Sequence, residues 1–159
     1  LSAIFEGIYG ENPYKSPTDM GVNMAGNCIC DDEACREASR QEIIRRYNEA
    51  LATYRTQTLN HLNGDHISSG HLYLVRLLDK SIEQRNEIII KMAERGIACN
   101  VHYKPLPMMT AYKALGFDIA DYPNAYNQYH NEITLPLHTS LTDEDVEYVI
   151  SNFVDIISQ

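Results

Sequence analysis

At 159 residues, with 44% apolar and 22% charged side chains, the chain has the size and balance of one soluble globular domain, with or without a leading arm. A formal charge of −9, with no basic cluster longer than Arg45-Arg46, argues against a nucleic-acid partner, although a few local donors can still hold a phosphorylated small molecule. No apolar run approaches the roughly 20 residues of a membrane span, and Leu1 to Gly10 lacks the basic-then-apolar pattern of a signal peptide.

Residues 1–32 read as an irregular arm or interface segment, because Gly7, Gly10, Pro13, Pro17, Gly21 and Gly26 interrupt any regular element. Such an arm is expected to pack on something beyond this sequence, a missing domain or a second subunit. The chain begins at Leu1 rather than Met, which suggests a fragment, processing or trimming. Cys28, Cys30 and Cys35 crowd together, and Cys99 stands apart. Zinc sites usually bring two such pairs from separate places, and the second pair is missing here, although His66, His71 or His102 could supply a ligand. Free thiols in a cytoplasmic protein, with no metal, are the favoured reading.

Residues 33–159 read as one α/β domain. Ile43, Ile44, Tyr47, Ala50, Leu51 and Tyr54 recur at helical steps, which predicts a helix from about Glu33 to Tyr54. Asn63-Gly64 signals a turn. His71 to Leu78 alternates with apolar residues on both sides and reads as a covered strand. Ser81 and Gln84 make a capping box for a helix with Ile88, Ile89, Met92 and Ala93 inward, stopped at Gly96. Ile97 to Tyr103 reads as a second strand, and Pro105 and Pro107 turn the chain. Short helices are expected over Met108 to Leu115 and Tyr122 to His130, then a brief strand from Glu132 to Leu135. Thr142 caps the last helix, whose first turn holds Asp143, Glu144 and Asp145. Its inward stripe is Val146, Val149, Ile150, Phe153 and Ile157. The expected fold is α/β, a small, mostly antiparallel sheet covered by helices.

Several words in this order resemble one family. They are His71-Leu72-Tyr73, Arg95-Gly96-Ile97, Val101-His102-Tyr103-Lys104-Pro105-Leu106, and Thr134-Leu135-Pro136-Leu137-His138 before Leu141-Thr142-Asp143-Glu144-Asp145-Val146. The series is similar to the small domain of DegT/StrS-type sugar aminotransferases, over roughly residues 36 to 157. Gly21-Val22-Asn23-Met24 resembles the family segment that crosses the dimer interface. The resemblance implies that Asn23 contacts the cofactor phosphate of a neighbouring subunit; its amide can donate without burying another full charge. Ala25-Gly26-Asn27 departs from the family pattern.

By the same resemblance, the complete enzyme uses pyridoxal 5′-phosphate (PLP). It moves an amino group from an amino acid such as glutamate to a keto-sugar nucleotide, as a homodimer. The cofactor supplies the electron sink, and protein groups orient it and move protons. A lysine must hold PLP, yet Lys15, Lys80, Lys91, Lys104 and Lys113 stand in no serine-led motif of the family type. No catalytic residue is nominated. His102 and Tyr103, at the end of a strand, are the candidate substrate-binding residues, weighed against ordinary strand-end side chains. His71 and Tyr73 are expected to orient or pack the first strand, and Arg85 to form a surface ion pair. Tyr122, Tyr126 and Tyr129 suit core or interface packing better than a sugar platform. The alternatives are a non-catalytic binding or regulatory module derived from that small domain, and an unrelated α/β ligand-binding domain.

Overall fold

A computed structural model describes residues 33–159. The expectations that fall on residues 1–32, including the irregular arm, the Asn23 contact and the Cys28–Cys30 pair, lie outside the described residues.

Helix α1 (Glu33–Leu51) leads into three short strands, β1 (Thr56–Thr58), β2 (Leu62–Asn63) and β3 (His66–Ile67). Strand β4 (Tyr73–Leu77) and helix α2 (Ile82–Glu94) follow. Two 3-10 turns and two short helices, α3 (Thr110–Ala114) and α4 (Pro123–Tyr129), then lead to strand β5 (Glu132–Leu135) and helix α5 (Asp143–Ile157). The main sheet is antiparallel in the order β1-β4-β5, and β2 and β3 form a separate hairpin. Asn63-Gly64 is therefore a hairpin turn rather than the plain end of a segment.

Register gives the sheet two unlike faces. Tyr73 lies opposite Leu135 and Val75 opposite Ile133, and directly paired residues share a face. Together with Leu77 they meet Ile43, Ile44 and Tyr47 of α1, Ile88 and Met92 of α2, and Val146, Val149 and Phe153 of α5 in one buried core. The other face carries Leu74, Arg76, Glu132 and Thr134. The sequence pattern predicts apolar cover on both sides of β4. That face instead contains the chain's polar business.

The helix ends follow local chemistry. The Ser81 hydroxyl accepts from the Gln84 N–H, and the Gln84 side chain accepts from the Ser81 N–H at 2.8 Å. Thr142 and Asp145 repeat the arrangement at the start of α5. Gly96, at φ +75°, ends α2 in the left-handed region. Arg46 ties α1 to α5 by donating to Asp143 at 2.7 Å, and the Tyr47 hydroxyl donates to the Pro136 carbonyl at 2.7 Å.

Two expectations need correction. Ile97–Tyr103 is not a strand. Asn100 makes one two-way bridge with Thr134, after which side chains capture the backbone: the Asn100 side chain accepts from the Val101 N–H, and Glu132 accepts from the His102 N–H. Local side-chain acceptors thus compete with the ladder. Arg85 is not a surface residue either. It is only 1% exposed, and Nη1 donates to the carbonyls of Tyr129 at 3.1 Å and Glu132 at 3.0 Å.

Gly70 has φ +63°, and a Cβ added there would stand 3.0 Å from the Arg40 Cβ and 3.2 Å from the Ile44 side chain. Gly64 has open space around it. Gly70→Ala is therefore expected to cost about 1–3 kcal/mol in urea unfolding, and Gly64→Ala less than about 1 kcal/mol. Equal costs at the two sites would contradict the packing described here.

Candidate functional site

The polar face of the sheet is organised around β5. Its alternation places Glu132 and Thr134 on one face and Ile133 and Leu135 on the other, and all four residues are buried. A carboxylate without solvent is costly unless donors converge on it. Here the Thr134 hydroxyl donates to Glu132 Oε1 at 2.7 Å, and the His102 backbone N–H donates to Oε2 at 3.1 Å. Burial pushes the Glu132 carboxyl above its ordinary range, while these two donors and the nearby Arg85 charge oppose that shift. The Arg85 guanidinium lies 5.0 Å from the centre of the Tyr129 ring.

His102 stands over this carboxylate. Its Nδ1 is 2.8 Å from Thr134 Oγ1, and its ring meets Tyr103 edge-on with centres 4.6 Å apart. Burial, and then the nearby His71, depress its basicity. Tyr103 is 66% exposed, so its ring is free to meet a ligand. On the same sheet face Arg76 donates to Asn131 Oδ1, Gln57 Oε1 and the Asn127 carbonyl, which ties α4 to the sheet.

The structure therefore brings the two sequence-predicted residues, His102 and Tyr103, together at one edge. It adds Glu132 and Thr134, which the sequence reading treated only as strand residues. A polar pair at alternate positions of a short strand expected to be buried was the available signal. His71 is exposed beside this edge, whereas Tyr73 is fully buried against Tyr47 and His61, with its hydroxyl donating to Asn48 at 2.8 Å. Tyr126 stacks on His130 at an exposed position, and Tyr129 packs under Arg85.

The described residues do not fit a covalent PLP anchor. A Schiff-base lysine works from a desolvated pocket. No described lysine is buried, and Lys91 is paired with Glu87 at 3.1 Å on the surface of α2. Among the described residues there is also no group of three or more His, Cys, Asp and Glu side chains able to hold a metal ion, and no helix long and apolar enough to cross a membrane.

Comparisons with known proteins divide along the chain. Residues 1–69 match a family model described as the N-terminal domain of unknown function DUF1846. The curated relative UPF0371 protein cu0538 of Corynebacterium urealyticum is 42% identical over 104 residues, covering 62% of this chain and 20% of the relative. Solved structures lead elsewhere. Spr1654 of Streptococcus pneumoniae, described as a candidate sugar aminotransferase, matches with a TM-score of 0.78 and 48% identity, over 80% of this chain and 32% of its own. It has been solved in apo, PMP and PLP forms. PseC of Helicobacter pylori, an aminotransferase involved in the biosynthesis of pseudoaminic acid, matches with a TM-score of 0.71 and 28% identity, over 79% of this chain and 33% of its own.

The sheet and helices thus have the fold of part of a sugar aminotransferase, and the likeness extends to sequence. A DegT DnrJ EryC1 StrS aminotransferase from Brucella abortus shares this fold, with a TM-score of 0.63 at 24% identity, over 79% of this chain and 32% of its own. An unrelated α/β topology is excluded by the same match. The chain spans about a third of the solved structures it matches and a fifth of the curated relative.

Acid should weaken this fold through the buried His61 and the half-buried His102. His61 is 4% exposed, with Nδ1 2.7 Å from Ser68 Oγ and Nε2 buried without a partner. Burial holds the basicity of both His61 and His102 below the ordinary value of 6.5. The unfolded chain then binds more protons, so this contribution is present above pH 6.5 and is lost as pH falls through it. Glu132 runs the other way, adding stability below its ordinary value of 4.5 and losing it as pH rises through its elevated folded value. Urea midpoints are expected to fall between about pH 7.5 and pH 5.5, and His61→Gln to flatten that fall. An unchanged slope in the variant would contradict the assignment.

Proposed function

We propose that this chain is a portion of a PLP-dependent aminotransferase that transfers an amino group from an amino acid such as glutamate to a keto-sugar nucleotide. The observation that carries the reading is the 48% identity to Spr1654 across 80% of the chain, together with the His102–Tyr103 edge on the polar face of the sheet. PLP, when bound in the complete enzyme, supplies the electron sink, and its lysine comes from outside the described residues. This chain's part is positional: His102 and Tyr103 line the substrate side of the pocket.

The segment from Val101 to His130 supports a place within a larger enzyme. None of its residues is buried, yet it carries Tyr103, Leu106, Leu115, Phe117, Tyr122 and Tyr126 as exposed large apolar or aromatic side chains. A segment this rich in exposed apolar side chains suits a contact face. The remaining two thirds of an aminotransferase chain is the occupant that fits, because the matched structures are about three times the length covered here. The homodimer and the Asn23 contact with the cofactor phosphate belong to the same proposal. Asn23 falls within the match to the domain of unknown function, so its role rests on the Gly21–Met24 motif alone.

A second reading, a non-catalytic module that keeps the small-domain fold, is favoured by the lack of a buried lysine among the described residues. One comparison separates them. The complete protein with PLP, glutamate and a keto-sugar nucleotide is expected to show a Schiff-base absorption band and amination, and the 159-residue chain alone neither. Asn23→Ala in the complete protein is expected to weaken PLP binding about tenfold, the loss of one good hydrogen bond to a charged group. Unchanged affinity rejects that contact, and a complete protein without pyridoxal chemistry favours the module.

A further inference from the structure

The hydrogen-bond geometry beneath His102 determines which of its ring nitrogens carries the proton. A hydroxyl has one hydrogen to give. Thr134 gives its hydrogen to Glu132 Oε1, which accepts it at 2.7 Å. The Thr134 oxygen must therefore accept from His102 Nδ1, 2.8 Å away, so the neutral imidazole carries its hydrogen on Nδ1. Nε2 is left with a lone pair that can accept a hydrogen bond. The other oxygen of Glu132 holds the backbone N–H of the same histidine. One buried carboxylate thus grips His102 at two points, through its main chain and through its ring.

We propose that Glu132, acting through the Thr134 hydroxyl, is a positioning residue that locks His102 as the Nδ1–H tautomer and presents Nε2 as a hydrogen-bond acceptor to a hydroxyl group of the sugar substrate. The substrate half of this statement rests on the function proposed above; the tautomer half rests on this chain's geometry alone. An acceptor at Nε2 selects a ligand that brings a donor, so it favours a free sugar hydroxyl over a methylated or deoxygenated position. A site built to accept from a hydroxyl binds an analogue that lacks one less well, because the bound ligand then shields the Nε2 lone pair without supplying a donor. The exposed Tyr103 ring beside it offers an apolar surface to the same ligand.

The test separates the two halves. Long-range proton–nitrogen correlation spectra of the full 159-residue chain near neutral pH read the tautomer of His102 without any substrate. The expected spectrum shows a pyrrole-type Nδ1 and a pyridine-type Nε2. Thr134→Val removes the hydroxyl and should shift the ring toward the Nε2–H form, while Thr134→Ser should restore the native pattern. A native chain with Nε2–H, or identical spectra for the Val and Ser variants, overturns the positioning claim whatever the protein does. In the complete enzyme, Thr134→Val should raise KM for the sugar nucleotide about tenfold, leave KM for the amino donor unchanged, and be rescued by Ser. An unchanged KM with the tautomer confirmed overturns the substrate half. If the complete protein shows no transamination at all, the function proposed above fails while the tautomer result stands.

Discussion

A charged side chain inside a protein must find partners, and Glu132 imposes that demand on the sheet edge described here. The residue is fully buried on a four-residue strand, where an unpaired carboxylate would cost several kcal/mol. Its surroundings come from three places: the Thr134 hydroxyl on the same strand, the His102 N–H on the segment that follows α2, and the nearby Arg85 charge from α2 itself. Satisfying one carboxylate thus draws together elements far apart in sequence. It also explains why residues 101–103 leave the ladder. The His102 N–H turns to the carboxylate instead of to a strand partner.

The same cluster links stability to the proposed chemistry. Arg85 closes two otherwise orphaned carbonyls, those of Tyr129 and Glu132, so it pins the end of α4 to the start of β5. Its own Nε remains buried without a partner, a residual cost at a place already carrying much polar burial. Polar networks of this type rigidify a site when every member is satisfied. The apolar face of the sheet, by contrast, is an ordinary core of Tyr73, Val75, Leu77, Ile133 and Leu135 against three helices. Division of labour between two sheet faces lets one side hold the fold while the other presents His102 and Tyr103.

Much of this was legible from residues alone where the signal was local. Ser81-x-x-Gln84 and Thr142-x-x-Asp145 placed two helix starts, and Pro136 marked the end of β5. Edge strand β1 was missed because Thr-Gln-Thr offers no hydrophobic alternation, and its place depends on pairing with β4. The strand expected over Ile97–Tyr103 failed because Asn100 and Glu132 side chains outcompete the ladder, a long-range effect that no window of sequence reveals. Arg85 was read as a surface residue because arginine is seldom fully buried. At the candidate site, the family words pointed to His102 and Tyr103, but Glu132 and Thr134 acquire meaning only once register sets them beneath the imidazole. The leading segment shows the limit of short motifs: Gly21–Met24 resembles an aminotransferase contact, yet residues 1–69 match a domain of unknown function.

A double-mutant cycle between Arg85 and Glu132, read by urea unfolding of the 159-residue chain near neutral pH, reaches the central claim most directly. Arg85→Met should cost about 3 kcal/mol or more, because it leaves two buried carbonyls without a donor and removes a positive charge near the Glu132 carboxyl. Combined with Glu132→Gln, the loss should be smaller than the sum of the single losses by about 1 kcal/mol or more. Additivity within about 0.5 kcal/mol, or an Arg85→Met variant as stable as the native chain, would contradict the view that these two buried residues together organise the edge.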